Sequence, residues 1–166
     1  MKNYLVFFCV VLFVNQGFTQ SKKFEKLLQE NLKLSVPILR VSEVGATDDY
    51  LIFDTRESIE FKTSHLKNAK HIGYDFFNMD SIFKNYPDKT QTILVYCSIG
   101  IRSELIGEQL KSAGYQSVFN LYGGIFEWKN QSYEVIDENK EATEKVHTFS
   151  KEWSKWLVNG EKVYEK

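Results

Sequence analysis

One stretch of the sequence has the composition of a reactive centre: Cys97-Ser98-Ile99-Gly100-Ile101-Arg102-Ser103, directly after the apolar run Ile93-Leu94-Val95-Tyr96. The apolar run predicts a buried central strand, and the loop around Gly100 with a helix start at Ser103 predicts a strand-loop-helix unit. In such a unit main-chain N–H groups converge on the atom at the strand end, here a sulfur. A free thiol is only a few per cent ionised at neutral pH; amide donors, a helix N-terminus and Arg102 convert more of it to the nucleophilic thiolate. The competing reading of a lone cysteine after an apolar strand is a small hydrophobe in the core. Gly100 and Arg102 favour the reactive reading.

A second candidate stretch is Asp54-Thr55-Arg56, after Tyr50-Leu51-Ile52-Phe53. Asp54 by itself reads as a turn-forming residue, and the resemblance carried by the motifs below implies instead that it pairs with a loop arginine and holds the cradle. Arg56 either reaches an anionic substrate or pairs with Glu57 and Glu60 at the surface, and the ion pair is the preferred reading. Asp54 and Arg56 therefore stand as supporting residues. His65 reads as structural despite the aptitude of imidazole for proton transfer, and His71 and His147 fall in no catalytic pattern. Gly123-Gly124 reads as a tight turn into a helix, with no phosphate implied.

The rest of the chain predicts the scaffold that brings these loops together. Besides Thr92 to Tyr96, strand candidates are Pro37 to Val41, Tyr50 to Phe53, Ala69 to Ile72 and Ser117 to Leu121. Helix candidates are Ser21 to Asn31, a start at Ser42, Ser58 to Thr63, Asp75 to Asn85, Ser103 to Ala113 and Ile125 to Trp128. Strands alternating with helices through short connections predict an α/β fold, a parallel sheet with helices on both faces. In such sheets chemistry gathers at the carboxyl ends of the strands, where both candidate stretches lie.

Composition excludes other classes. Of 166 residues, 43% are hydrophobic and 26% charged, which excludes disorder and fibres. The net charge of −1 supplies no field to gather nucleic acid or an anionic membrane. Residues 1–19 have the layout of a signal peptide: Lys2, an apolar run of eleven residues from Tyr4 to Val14, and a polar exit with cleavage after Thr19. That run is shorter than the about 20 residues a membrane-spanning helix needs, and Phe8 before Cys9 argues against a lipid anchor. The expectation is an exported bacterial protein, periplasmic or secreted, with no stable membrane insertion after cleavage. Cys9 leaves with the signal, so Cys97 has no partner for an internal disulfide.

Residues 20–35 read as a helical lead and 131–166 as a C-terminal extension, partly helical. Asp137 to Glu141 is a solvated connector; after it Val146, Phe149, Trp153, Trp156 and Leu157 fall along one side of a helix that stops at Asn159-Gly160. That aromatic face packs on its own domain, docks a protein partner or lies on a membrane, and the first is preferred.

Several motifs, taken in order, resemble a single rhodanese domain over about residues 36–130. They are Asp54-Thr55-Arg56-Glu57, Glu60-Phe61, His65-Leu66-Lys67-Asn68-Ala69, the stretch from Val95 to Ser103, Gly114-Tyr115, and Leu121-Tyr122-Gly123-Gly124-Ile125-Phe126-Glu127-Trp128. The resemblance implies a five-stranded parallel sheet and a sulfurtransferase that moves sulfane sulfur, from thiosulfate or a persulfide, to a thiol or cyanide. Cys97 would carry the persulfide, and Ser98, Ile99, Gly100, Ile101, Arg102 and Ser103 would form the anion-binding loop. Neither metal nor organic cofactor follows from it, and small sulfur compounds or a thiol acceptor are the implied partners. Ser98 stands where many thiosulfate-using members have a basic residue, which argues against thiosulfate, a dianion, as the natural donor. Asn68 stands where the family has glycine, which puts that turn in question. Cys97 and Arg102 are separated by four residues, a tighter loop than in the related phosphatases of the cell-division-cycle type. The alternative reading is a non-catalytic rhodanese-like module that uses the same crevice for binding.

Overall fold

The computed structural model of the protein describes residues 22–164. The signal sequence read over residues 1–19 lies outside the described residues. The chain divides into two units, residues 1–31 and 32–166. The described part of the first is helix α1, residues 22–31, in which Lys26 and Glu30 pair at 3.6 Å one turn apart.

The second unit runs β1 (Ile38–Leu39), β2 (Leu51–Asp54), α2 (Ser58–Thr63), β3 (Lys70–His71), α3 (Met79–Asn85), β4 (Thr92–Tyr96), α4 (Ile101–Ser112), β5 (Ser117–Leu121) and α5 (Gly124–Asn130). The five strands form one sheet in the order β1-β5-β4-β2-β3, and every pair is parallel. The protein is thus an α/β fold with a five-stranded parallel sheet, as expected. The short helix expected at Ser42 is a single 3-10 turn, Val41–Glu43, and α3 begins at Met79 because Asn78 caps it, accepting from the Ser81 amide at 2.9 Å.

A parallel sheet is stable only with both faces covered, and β4 shows how. Ile93 and Val95 join Phe53, Val118, Ile82 of α3 and Ile106 and Leu110 of α4 in one core. Leu94 and Tyr96 point the other way by strand alternation and are equally buried. Burial on both faces fixes the register that sets Asp54 of β2 beside Tyr96 of β4, so the two candidate stretches emerge side by side. Asn68 takes φ 67, a left-handed conformation that asparagine tolerates, and its side-chain amide donates to the Asp48 carboxylate, so the turn forms without glycine.

The extension differs from its expectation. The helix expected over Val146 to Leu157 does not form. Instead β6 (Val135–Ile136) and β7 (Ala142–Thr143) make an antiparallel hairpin, and β8 (Lys145–His147) pairs in parallel with β9 (Glu161–Val163). The helical content of the described extension is one 3-10 turn, Trp153–Trp156. Strand pairing wins because the Thr148 amide donates to the Val163 carbonyl at 2.7 Å and Phe149 takes φ 64, which ends any right-handed run. Val146 and Leu157 are buried, whereas Phe149 is exposed. β8 packs beside α2, and Asn130 and Lys129 at the end of α5 bond Trp156, Val158 and Asn159. These contacts lead the segment from Phe149 to Trp153 back to the carboxyl edge of the sheet. Among the described residues no helix is long and apolar enough to cross a membrane.

Candidate active site

Cys97 leaves β4, and its sulfur accepts a hydrogen bond from the Gly100 amide at 3.1 Å. Gly100 has φ 109, a left-handed conformation that glycine adopts freely, and it caps α4. Helix α4 therefore starts at Ile101, and Ser103 is not the cap expected of it. Ser103 lies buried in the first turn and donates to Asn120 Oδ1 at 2.7 Å, while Asn120 Nδ2 donates to the Gly100 carbonyl at 2.9 Å. The several converging amides reduce to one: among the described residues the Gly100 N–H is the donor to the sulfur. The positive end of the α4 dipole sits at the same loop.

The opposite side of the loop is held by α5. The Ile125 amide donates to the Cys97 carbonyl at 2.9 Å and the Phe126 amide to the Ser98 carbonyl at 3.1 Å. This close approach requires the tight turn at Gly123 (φ 77) and Gly124 (φ 55). A Cβ on Gly124 would overlap the Cys97 carbonyl and come within 2.7 Å of Ser98.

Arg102 is not a free cation. Its guanidinium forms a bidentate pair with Glu60, both bonds 2.8 Å, and reaches Ser98 Oγ at 3.1 Å. Ser98 in turn donates to Glu60 Oε1 at 3.1 Å. Burial alone would raise the Glu60 carboxyl, but hydrogen bonds and charge from Arg102, with Arg56 and the Glu57 amide, hold it below the usual carboxylate range. Burial works against the Arg102 charge, yet the Glu60 hydrogen bonds and the charges of Cys97 and Glu60 hold it more firmly protonated than usual.

The surface ion pair expected of Arg56 is not found. Arg56 is fully buried, with Nε 3.0 Å and Nη2 2.7 Å from the Asp54 carboxylate and Nη2 2.6 Å from the Ser64 carbonyl. Its partner is thus the residue two positions back, because the backbone turn that lets the Arg56 amide reach Asp54 Oδ1 also folds the side chain onto the same carboxylate. Asp54 accordingly does not reach the loop arginine, and Arg56 cannot touch a substrate. The pair acts on the site through Tyr96: Arg56 lies over its ring at 5.7 Å, and the Thr55 amide bonds its carbonyl at 2.9 Å. His65 stacks on Phe61 and bonds the Phe61 carbonyl at 2.9 Å; burial lowers its basicity.

Cys97 is only 2% exposed, yet it opens onto a cavity of about 210 Å³. The loop from Cys97 to Arg102 lines one side; Phe149 and Trp153 of the extension line the other. Among the described residues no cluster of three His, Cys, Asp or Glu side chains is placed to hold a metal ion. The arrangement can present a cysteine sulfur to a small, largely apolar ligand and donate one amide to charge on that sulfur.

Four residues have roles at the site that the sequence does not reveal. Glu60 is assigned there to Arg56. Asn120 carries a usable signal, a lone amide side chain within an otherwise apolar stretch Val118 to Leu121 that the sheet must bury. Nothing local marks Phe149 and Trp153, which only the path of the extension brings to the cysteine.

Residues 41–131 match the rhodanese-like domain family. Thiosulfate sulfurtransferase GlpE of Coxiella burnetii is 30% identical over 102 residues, 61% of this chain and 92% of that protein. A tRNA uridine(34) hydroxylase of Cronobacter sakazakii is 31% identical over 104 residues, but this chain spans only 29% of its length. The crystal structure of a thiosulfate sulfurtransferase from Pseudomonas aeruginosa shares the fold, with a TM-score of 0.58 at 20% identity over 83% of this chain and 26% of that one. The family match extends over more than half of the sequence and takes in every residue placed around the sulfur except the two aromatics of the extension, so the chain belongs to the rhodanese-like domain family.

Proposed function

We propose that the protein is a sulfurtransferase in which Cys97 accepts a sulfane sulfur and passes it, as a cysteine persulfide, to a thiol or to cyanide. The observation that carries this reading is the Gly100 amide on Cys97 Sγ at the floor of an open cavity. A cysteine kept only as a core hydrophobe has no use for a donor to its sulfur or for a cavity beside it. The thiosulfate sulfurtransferase relative supports the class of reaction. The donor we favour is not thiosulfate: the single charged residue of the cavity lining, Arg102, has its charge matched by Glu60. A dianion meets no uncompensated cation there. We also place the protein outside the cytoplasm, on the signal-like pattern of residues 1–19.

The test is turnover. The mature chain, given a thiosulfonate or persulfide donor and cyanide, is expected to form thiocyanate, and Cys97→Ala to form none above the uncatalysed rate. Thiocyanate formation at equal rates by both proteins would refute the assignment. No formation with any donor, combined with saturable binding of a small anion, would favour the non-catalytic binding module.

A further inference from the structure

The mouth of the cavity carries a side chain that folding alone does not explain. Phe149 is 58% exposed, and it holds φ 64, a conformation that a bulky residue rarely adopts. The Ser150 amide donates to the Thr148 carbonyl at 2.7 Å, so Phe149 is the centre of a three-residue turn with positive φ, the strained form of the γ-turn. Such strain at an aromatic residue persists where the surroundings impose it, and it clusters at ligand-contacting positions. Here the turn delivers the ring to the reactive loop. Arg102 lies 5.7 Å from the ring centroid, and Phe149 and Trp153 line the same cavity as Cys97, Ile99 and Ile101.

We infer that Phe149 and Trp153 form an apolar subsite for the organic group of the sulfur donor or acceptor, so that the substrate class is a thiol, persulfide or thiosulfonate bearing an aromatic or bulky aliphatic group. The inference rests on the sulfurtransferase reading and narrows it. Three observations converge: the lining is apolar apart from the Glu60-matched Arg102 and Ser98, the cavity is far larger than one sulfur atom, and two aromatic residues of the extension are among the residues that line it. For a thiosulfonate R–SO₂–S⁻ the step is attack of the Cys97 thiolate on the terminal sulfur. The bond between that sulfur and the sulfonyl sulfur breaks, the sulfinate R–SO₂⁻ leaves with the electron pair, and Cys97–S–S⁻ remains. The organic group R departs with the sulfinate and lies against the aromatic wall while the sulfur is transferred.

Benzenethiosulfonate and methanethiosulfonate carry the same charge and the same reacting atoms, so the change in the ratio of their kcat/KM values between wild type and the variants below, in which the intrinsic reactivity of the donors cancels, reads the subsite. The ratio is expected to favour the aromatic donor by about 30-fold, the transfer value of the extra apolar area. In Phe149→Ala the ratio falls at least several-fold, and in Phe149→Ala with Trp153→Ala it falls to within about threefold of one. Phe149→Gly, which removes the same ring while relieving the positive φ, lowers the ratio as far as Phe149→Ala does, without losing thermal stability. A wild-type ratio near one, or a ratio that survives the double substitution, overturns the subsite and leaves the sulfurtransferase reading standing. Failure of benzenethiosulfonate, methanethiosulfonate and thiosulfate alike to add sulfur overturns both.

Discussion

Asp54→Ala is expected to cost about 3–5 kcal/mol of folding free energy, because it removes one partner from a buried ion pair. Against a total of roughly 5–15 kcal/mol for a domain, that loss approaches global unfolding at physiological temperature. Arg56 has no route to water, since its side chain is fully buried. Its Nη1 already lacks a hydrogen-bond partner, and Nη2 would keep only the Ser64 carbonyl. The charge cannot be shed, because a guanidinium stays protonated in a protein even when it is buried. A urea titration of the variant should show a lower midpoint, and the melting temperature should fall by roughly 10 °C. Pairing Asp54→Ala with Arg56→Met should recover part of the loss, since an apolar pair of similar volume needs no compensation. A single variant within about 1 kcal/mol of wild type would mean that the pair is as weak as an exposed one.

Gly124→Ala should combine a stability loss with a collapse of activity. The added methyl meets the backbone of Cys97 and Ser98, which cannot rotate away as a flexible side-chain tip would, and the position has φ 55. The left-handed conformation alone costs about 1–2 kcal/mol for a residue with a Cβ. The overlap adds to it, and its relief pushes α5 away from the Cys97 and Ser98 carbonyls that the Ile125 and Phe126 amides hold. A displacement of about 1 Å at a reacting atom lowers rates by roughly 100-fold, which is the expected drop in kcat/KM. Gly123→Ala is the comparison variant: it shares the positive φ, so an equal loss of activity in both would assign the effect to backbone strain and not to the contact with the loop. Near-normal turnover in Gly124→Ala would show that the loop tolerates loss of these braces.

The legible and illegible parts of the site differ in the physics that decides them. The run Ile93-Leu94-Val95-Tyr96 reads as a central strand because burial on both faces demands continuous apolarity, so Cys97 at its end and the parallel sheet follow from local pattern. The start of α4 is misread because a serine and a glycine both open helices; the positive φ at Gly100 decides the choice, and sequence does not show φ. Arg56 has three carboxylates close by in sequence, and burial selects Asp54 while α2 turns Glu60 toward Arg102. In the extension, Val146, Phe149, Trp153 and Trp156 have helical spacing, but Thr143, Val146 and Thr148 are β-branched and the segment from Lys145 to His147 finds a partner strand in Glu161–Val163. Long-range pairing overrides local period there, and that override carries Phe149 to the active-site mouth.

The claim on which the whole account depends is that one sulfur atom resides covalently on Cys97 between donor and acceptor. Intact mass spectrometry of the protein after a single exposure to benzenethiosulfonate tests it directly. The account predicts a gain of one sulfur atom, reversed by excess thiol and absent in Cys97→Ala. An unchanged mass, or an equal gain in Cys97→Ala, would contradict it.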